Sequence, residues 1–256
     1  TISPTQDFTV LQDALLSNNT AESTDKDTIG DIKQLLNKIP AVMTTVGTSR
    51  YNLLSWDEIK KSNEALVKGA GENTISIVAN PVSGGLRHAI EFGKHAMDIG
   101  ADYYLVYFPE RHYGEANTYA FFETLNRELD IPMLIHEMPM RNGMGGGQVQ
   151  YSLDLLERLL ELENVVGMKE EALDKDYSNK ILDKFGEEAV IIGAGGGMSR
   201  YLYRDFDRGS RAFLGGLGNF HPELELEFYN SIVSGDRENA RRIVEEIELP
   251  YFDEVV

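Results

Sequence analysis

The chain has 256 residues and no cysteine, which excludes disulfides, zinc–thiolate sites and cysteine nucleophiles. Its 42 acidic and 24 basic residues give a formal charge of −18, which argues against nucleic acid and anionic membrane surfaces as general partners. A hydrophobic content of 42% is enough for a sizeable core, and the length fits one α/β barrel or two small domains.

The first thirty residues carry the weakest pattern. Residues 17–27 are polar and predict a loop, and residues 8–16 fit either a strand or a helical turn. Apolar positions then recur at helical spacing as far as Leu36, and residues 39–43 are typical of a strand. A hydroxyl-rich loop at residues 44–49 follows. Ser55 and Glu58 have the spacing of a capping box, which predicts a helix that ends near Lys68.

Strands and helices alternate along the rest of the chain. Short apolar runs predict strands at residues 74–79, 103–108, 132–138, 165–169, 190–192 and 212–214. Helical spacing predicts helices at residues 87–99, 117–129, 152–162, 176–185, 199–206, 222–233 and 236–247. This alternation indicates a parallel sheet, and seven or eight β–α units fit a (β/α)8 TIM barrel with C-terminal helices better than a doubly wound sheet. We assign residues 1–220 to the barrel and residues 221–256 to the start of a helical extension.

The apolar run at residues 165–168 ends in Lys169, where a barrel strand reaches the catalytic face. Burial there lowers the pKa of an amine and leaves part of it as the nucleophile that a Schiff base needs. The alternative is a lysine whose charged end reaches solvent at a strand end. On the preceding strand Leu134 and His136 share a face, so His136 can point inward beside Lys169 and move protons. The alternative is a core histidine bonded to a backbone carbonyl.

Other candidate binding groups also follow strands. Arg141 lies two residues after Pro139, where its planar guanidinium can hold a substrate carboxylate; the alternative is a solvated surface arginine. Glycine-rich loops at residues 193–197 and 215–218 follow the last two strands. Glycine lets a ligand approach backbone N–H groups closely, and this part of a barrel often binds phosphate. The alternative is a pair of tight turns over the barrel mouth.

These motifs, in this order, resemble the dihydrodipicolinate synthase / N-acetylneuraminate lyase family of class I, Schiff-base aldolases over roughly residues 40–250. Residues 165–170 (Val-Val-Gly-Met-Lys-Glu) resemble the family's lysine strand, residues 139–143 (Pro-Met-Arg-Asn-Gly) its arginine motif, and residues 100–109 and 212–219 its fourth and eighth strands. The resemblance implies that Lys169 forms the imine and that Arg141 and Thr48 bind the substrate carboxylate. It also implies that Leu214 lies beside the oxo acid. We add Gly193, at the end of the seventh strand, as a substrate-binding candidate.

The sequence also departs from the family pattern. His136 stands where the family has a catalytic tyrosine, and residues 46–50 (Val-Gly-Thr-Ser-Arg) replace its Gly-Thr-Thr-Gly-Glu. Glu110 and Arg111 replace a tyrosine pair after the fourth strand, so the tyrosine that a neighbouring subunit supplies in the family is missing. The resemblance therefore implies a divergent lyase, in which His136 or a water that it positions moves the protons.

We expect a lyase or aldolase that acts on a pyruvate-like 2-oxo acid or a sugar acid through Lys169. We expect it to need no cofactor or metal and to form a homodimer or homotetramer. A sugar-acid dehydratase of the same family and a catalytically impaired ligand-binding barrel are the alternatives. A metal enzyme built on His112, His136, Glu137 and Glu170 is a further alternative, which the lack of His-x-His or His-x-x-x-His spacing disfavours.

Three remaining features concern location and structure. No apolar run reaches the ~18 residues of a membrane span and no basic and apolar leader opens the chain, so we expect a cytoplasmic protein. Trp56 lies in the first turn of a predicted helix, where we expect it to pack on a neighbouring element. Glu223, Glu225 and Glu227 alternate with apolar residues and predict a solvated helix face.

Overall fold

Parallel strands alternate with helices in the computed structural model, which describes residues 8–12, 39–44, 51–81, 84–107, 114–138, 150–219 and 221–255. The strands are β1 (Phe8–Gln12), β2 (Ala41–Met43), β3 (Ile75–Ala79), β4 (Tyr103–Tyr107), β5 (Met133–Glu137), β6 (Val165–Glu170), β7 (Val190–Gly193) and β8 (Ala212–Gly215). This part of the chain therefore has the α/β organisation that the sequence predicts. None of the helices in the described ranges is long and apolar enough to cross a membrane.

The helices lie between the strands and after the last one. They are α1 (Trp56–Gly69), α2 (Leu86–Asp98), α3 (Glu115–Glu128), α4 (Leu153–Leu160), α5 (Lys175–Phe185), α6 (Gly197–Arg200), α7 (Pro222–Ser234), α8 (Arg237–Ile243) and α9 (Leu249–Val255). Helix α6 continues through π-helical and 3-10 segments to Arg208, and a π-helical segment, Val244–Glu248, joins α8 to α9. The last predicted helix is therefore longer and less regular than its apolar spacing indicated.

Seven strands, β2 to β8, form a curled parallel sheet in which each strand pairs with the next along the chain. The backbone of β1 pairs with both ends of this series, since Val10 lies opposite Ala41 of β2 and opposite Leu214 of β8. Of the two structures that the sequence allowed for residues 8–16, the strand is the one found at residues 8–12.

Side-chain caps begin several helices where the sequence predicts them. The Ser55 N–H donates to the Glu58 carboxylate at 2.8 Å, and the Glu58 N–H donates to Ser55 Oγ at 3.4 Å, which completes the capping box of α1. The Leu155 N–H donates to Ser152 Oγ at 3.1 Å at the start of α4. The Trp56 ring lies 3.9 Å from the ring of His88 on α2, which confirms that it packs on a neighbouring helix.

The apolar side chains form two clusters. The larger one lies between the strands and helices α1 to α5. The smaller one joins Phe213 of β8 to α6, α7 and α8, and the Phe213 and Phe228 rings meet edge to face with their centroids 5.3 Å apart. The C-terminal helices are thus attached to the last strand by a core of their own.

Candidate active site

Strand register brings three functional side chains into one row. Tyr107 on β4 pairs with His136 on β5, and His136 pairs with Lys169 on β6. Paired residues on neighbouring strands point to the same side of a sheet. The pairing of β5 with β6 contains a bulge, because Met133 lies opposite Val165 while the next residue lies opposite Gly167. Without that extra residue His136 would lie opposite Met168, and Lys169 would face the other side of the sheet.

Lys169 and His136, the two catalytic candidates, are in direct contact. Each is 2% exposed, and Lys169 Nζ lies 2.9 Å from His136 Nε2. The Glu171 carboxylate joins them, since its Oε2 atom contacts Lys169 Nζ and lies 3.1 Å from His136 Nε2. The Tyr107 ring meets the His136 ring edge to face, with centroids 5.5 Å apart. The site therefore holds two groups, Glu171 and Tyr107, that the sequence analysis did not assign to it.

The charges at this site are set by burial and by proximity. Burial, followed by the nearby charge of Lys169, lowers the pKa of His136 from 6.5 to about 4, although the hydrogen bond and charge of Glu171 oppose both. Burial raises the pKa of Glu171, but the charges and hydrogen bonds of Lys169 and His136 outweigh it and hold that pKa well below its ordinary value. His136 is therefore a neutral imidazole and Glu171 a carboxylate, which favours the ammonium form of Lys169.

On the other face of the sheet, an arginine holds the ends of β6 and β7 together. Arg200 contacts the Glu170 carboxylate, and its Nε atom donates to Asp205 at 2.6 Å. Its Nη1 atom donates to the backbone carbonyls of Glu170, at 3.2 Å, and of Ala194. All of these side chains are buried, so the arginine fixes the backbone that carries Lys169.

Glu137 is a second buried carboxylate on that outer face. It pairs in register with Glu170 across β5 and β6. Burial raises the pKa of Glu137 to about 8, and the charge of Glu170 contributes to this shift. Its Oε2 atom has no hydrogen-bond partner within the described ranges. Glu137 is therefore protonated at neutral pH and does not compete with Glu171 for Lys169.

Beside each of the two glycine-rich loops, a glutamate from a later part of the chain accepts backbone hydrogen bonds. Glu248 accepts hydrogen bonds from the Met198 and Ser199 N–H groups at 2.7 and 2.6 Å, and Glu225 accepts one from the Gly218 N–H at 2.6 Å. The prediction that Glu225 lies on a solvated face is therefore wrong, since Glu225 is 0% exposed. The alternation of glutamates with apolar residues on α7 suggested a polar face. Glu225 instead points inward, because the Gly218 N–H of the loop after β8 donates a hydrogen bond to it.

The close approach of these carboxylates explains two of the glycines. A Cβ atom on Gly197 would lie 2.3 Å from Glu248 Oε1, and one on Gly215 would lie 1.7 Å from Glu225 Oε2. The two carboxylates thus fill the space beside the loops. Glu225 uses the Gly218 N–H, which lies in one of the loops predicted to bind phosphate, and Glu248 uses the N–H groups of the two residues that follow the other loop. These particular donors, at Met198, Ser199 and Gly218, are already satisfied.

Four residues are predicted to bind the substrate, and the structure describes two of them. Thr48 and Arg141 lie outside the described residues. Gly193 lies against the buried ion cluster, since a Cβ atom there would be 2.2 Å from Asp205 Oδ2. Leu214 is 7% exposed on β8. Substrate binding by these four residues stays a prediction.

The described part of the chain contains no group of three histidine or carboxylate residues arranged to hold a metal ion. Of the residues in the metal hypothesis, His136 contacts Lys169 and Glu171, Glu170 is bound by Arg200, and His112 lies outside the described residues. The structure therefore gives that hypothesis no support from the residues it describes.

Comparison with known proteins gives a consistent result. The sequence model of the dihydrodipicolinate synthetase family matches residues 19–253. The 4-hydroxy-tetrahydrodipicolinate synthase of Phenylobacterium zucineum is 28% identical over 205 residues, which is 80% of this chain and 67% of the relative. The same enzyme from Methanosarcina mazei is 27% identical over 177 residues, which cover 68% of this chain and 57% of the relative. The matched part of the chain therefore covers 67% of the length of the first of these curated relatives and 57% of the length of the second.

Solved structures with the same fold include dihydrodipicolinate synthases and an N-acetylneuraminate lyase. The dihydrodipicolinate synthase of Aquifex aeolicus has a TM-score of 0.71 at 26% identity, over 88% of this chain and 75% of that one. The N-acetylneuraminate lyase of Mycoplasma synoviae has a TM-score of 0.67 at 22% identity, over 90% of this chain and 76% of that one. The dihydrodipicolinate synthase of Acinetobacter baumannii, solved in complex with pyruvate, has a TM-score of 0.72 at 20% identity, over 93% of this chain and 79% of that one.

Proposed function

Because the chain belongs to the dihydrodipicolinate synthetase family, a family of lyases, we propose that it is a lyase that acts on a 2-oxo acid or sugar acid through an imine on Lys169. The contact of buried Lys169 with His136 and Glu171 is the observation that carries the proposal. An amine at this position can attack a ketone, and the resulting iminium can accept the electron pair that is released when a neighbouring C–C bond breaks.

We assign His136 the place of the family tyrosine beside the imine. As a neutral imidazole it carries both a hydrogen-bond donor and an acceptor, so it can orient a substrate hydroxyl without adding a second positive charge. The low pKa of His136, about 4, makes it a weak base, which fits orientation better than proton storage.

The carboxylate of the substrate needs a cation, and we assign that role to Arg141 with help from Thr48. We place Leu214 at a neighbouring strand end, where its side chain would line the site, and Gly193 at another, where only its backbone would reach the substrate because its Cβ direction meets Asp205 on the other face. We also propose that the sheet is a complete (β/α)8 barrel, which the pairing of β1 with both β2 and β8 supports. The homo-oligomer, the cytoplasmic location and the separate C-terminal helical extension stay predictions.

Borohydride reduction followed by mass spectrometry tests the imine. The chain is incubated with pyruvate, with other 2-oxo acids and with N-acetylneuraminate, reduced, and digested to locate the adduct. We expect an adduct on the peptide that carries Lys169, which the Lys169→Met variant loses and a variant at the exposed Lys180, Lys180→Met, keeps. The absence of an adduct with every acid would refute the proposal.

One observation favours the alternative of a ligand-binding barrel. The Glu171 carboxylate holds Lys169 as an ammonium, which is unreactive until it loses a proton. On that hypothesis a 2-oxo acid raises the melting temperature of the wild type and of Lys169→Met equally, and no product forms. A rise that depends on Lys169, accompanied by turnover, excludes it.

A further inference from the structure

Lys169 has to lose a proton before it can attack a carbonyl, so a group close to Nζ has to accept it. Glu171 Oε2 contacts that nitrogen directly. The other carboxylates on these strands are differently engaged, because Glu170 is bound by Arg200 and the Ala172 N–H, and Glu137 lies on the outer face beside Glu170. Glu171 is thus the described carboxylate positioned for proton transfer with Lys169.

The backbone holds Glu171 in this position. Its N–H donates to the carbonyl oxygen of Glu137 at 2.9 Å, which extends the pairing of β5 with β6 by one residue beyond Glu170, the last residue of β6. Two residues later Leu173 has a φ of 59°, a left-handed conformation that is unfavourable for a leucine. The loop therefore turns sharply just after Glu171, and that carboxylate is 26% exposed whereas Lys169 is 2% exposed.

We propose that Glu171 is a catalytic residue that carries protons to and from Lys169 during formation and hydrolysis of the imine. This inference rests on the proposed function of the same site. A buried ion pair can become a neutral acid and a neutral amine when one proton moves between the partners, and the exclusion of water by a bound substrate favours the neutral pair. Partial exposure gives Glu171 the contact with solvent that Lys169 lacks.

One carboxylate, Glu171, can carry every proton that moves during imine formation. The Lys169 ammonium begins with three protons, and transfer of one to the Glu171 carboxylate frees the nitrogen lone pair. The lone pair forms the C–N bond as the carbonyl electron pair moves to oxygen, which takes up the proton from Glu171. Glu171 then takes a second proton from nitrogen and passes it to the hydroxyl oxygen. The nitrogen lone pair forms the C=N bond as the C–O bond breaks, and water departs. The iminium keeps one proton and the positive charge, and Glu171 is again a carboxylate.

The role of Glu171 depends on the charge of Lys169 rather than on a fixed basicity. The ammonium is one of the causes that keep the pKa of Glu171 low, and that cause is removed as soon as the ammonium gives up its proton. Burial, which raises the pKa of Glu171, remains. A carboxylate in this position therefore becomes a stronger base as soon as Lys169 has given up its proton.

Trapping kinetics with pyruvate and cyanoborohydride test the proposal. We expect Glu171→Gln, which has the same shape but cannot accept the proton, to form the adduct on Lys169 about 100-fold more slowly than the wild type. Glu171→Ala should be equally slow, and added formate should restore at least part of its rate because formate fits the space left by the carboxylate. Glu171→Asp, with a shorter acid, should be intermediate.

The matched control is Glu163→Gln, which removes an exposed carboxylate at the opposite end of β6 and should trap pyruvate at the wild-type rate. Melting temperatures establish that each variant is folded, and formate rescue is a response that a purely structural role would not produce. A wild-type rate in Glu171→Gln, or no response of Glu171→Ala to formate, overturns this inference alone. A wild-type chain that traps no 2-oxo acid overturns the proposed function and this inference with it.

Discussion

Replacement of Glu225 by glutamine should make the chain more resistant to unfolding at neutral pH. Burial raises the pKa of Glu225 from 4.5 to about 8, and the charge of Glu248 adds to this shift, while hydrogen bonds from the Gly218 and Leu217 N–H groups oppose it. The folded chain therefore keeps a proton on Glu225 that the unfolded chain releases. Stability from this proton is complete below pH 4.5 and is lost as the pH rises toward 8.

The magnitude follows from the width of that window. Each pH unit within it is worth about 1.4 kcal/mol for a group that is protonated in the folded chain and ionised in the unfolded one. Between pH 5 and pH 7 the wild type should therefore lose about 3 kcal/mol of unfolding free energy relative to Glu225→Gln. The glutamine amide oxygen can still accept the hydrogen bond from the Gly218 N–H, so the loop keeps its partner.

Urea unfolding at pH 5 and at pH 7 measures this difference. Glu238→Gln, at an exposed position on the following helix, is the control and should follow the pH dependence of the wild type. Other buried acids change with pH in both chains, so the quantity to compare is the difference between the variant and the wild type. An identical pH dependence in Glu225→Gln and the wild type would refute the argument from burial.

Three further substitutions test other features, each by its unfolding free energy in urea. Arg200→Met leaves the buried Glu170 carboxylate without its cation and should cost about 3–5 kcal/mol, although buried Asp205 keeps its ion pair with Arg204. Arg208→Met, which removes an ion pair at the surface, should cost about 1 kcal/mol or less. Gly215→Ala places a Cβ atom 1.7 Å from a buried carboxylate oxygen and should cost about 1–3 kcal/mol. Its neighbour Gly216, with its nearest contact at 3.6 Å, should tolerate alanine. Leu173→Gly removes a left-handed leucine and should gain about 1 kcal/mol; a loss would show that the leucine packing outweighs the strain.

The order of strands and helices could be predicted because local signals mark most of the boundaries. Ser55 and Ser152 begin helices at the expected residues, since a cap is formed by residues close in sequence. Strand β1 could not be assigned from its own residues. Its identity depends on pairing with β2 and β8, which are distant in the chain.

The candidate site was only partly predictable for a similar reason. Lys169 and His136 each end an apolar run, so their positions at neighbouring strand ends follow from the sequence pattern. Glu171 lies two residues after Lys169, so strict alternation would have placed both on one face, but the predicted strand ended at Lys169 and the alternation was not carried past it. The bulge between β5 and β6 decides which side chains face Lys169, and the glycine beside it, Gly167, is a local signal that is too weak to fix the register on its own. Glu225 was misassigned because its burial depends on a donor from a different loop.

The hydrogen bonds of Glu248 have a consequence for how the molecule is made. The N–H of Met198, at the start of α6, is separated by 50 residues from the carboxylate that accepts its hydrogen bond. During synthesis from the N-terminus, β7, the glycine loop and β8 all leave the ribosome before Glu248 does. A nascent chain can therefore pair these strands while the loop beside the lysine strand still lacks the carboxyl group that accepts its hydrogen bonds. A chain cut before Glu248 would keep every described strand and leave that loop permanently incomplete.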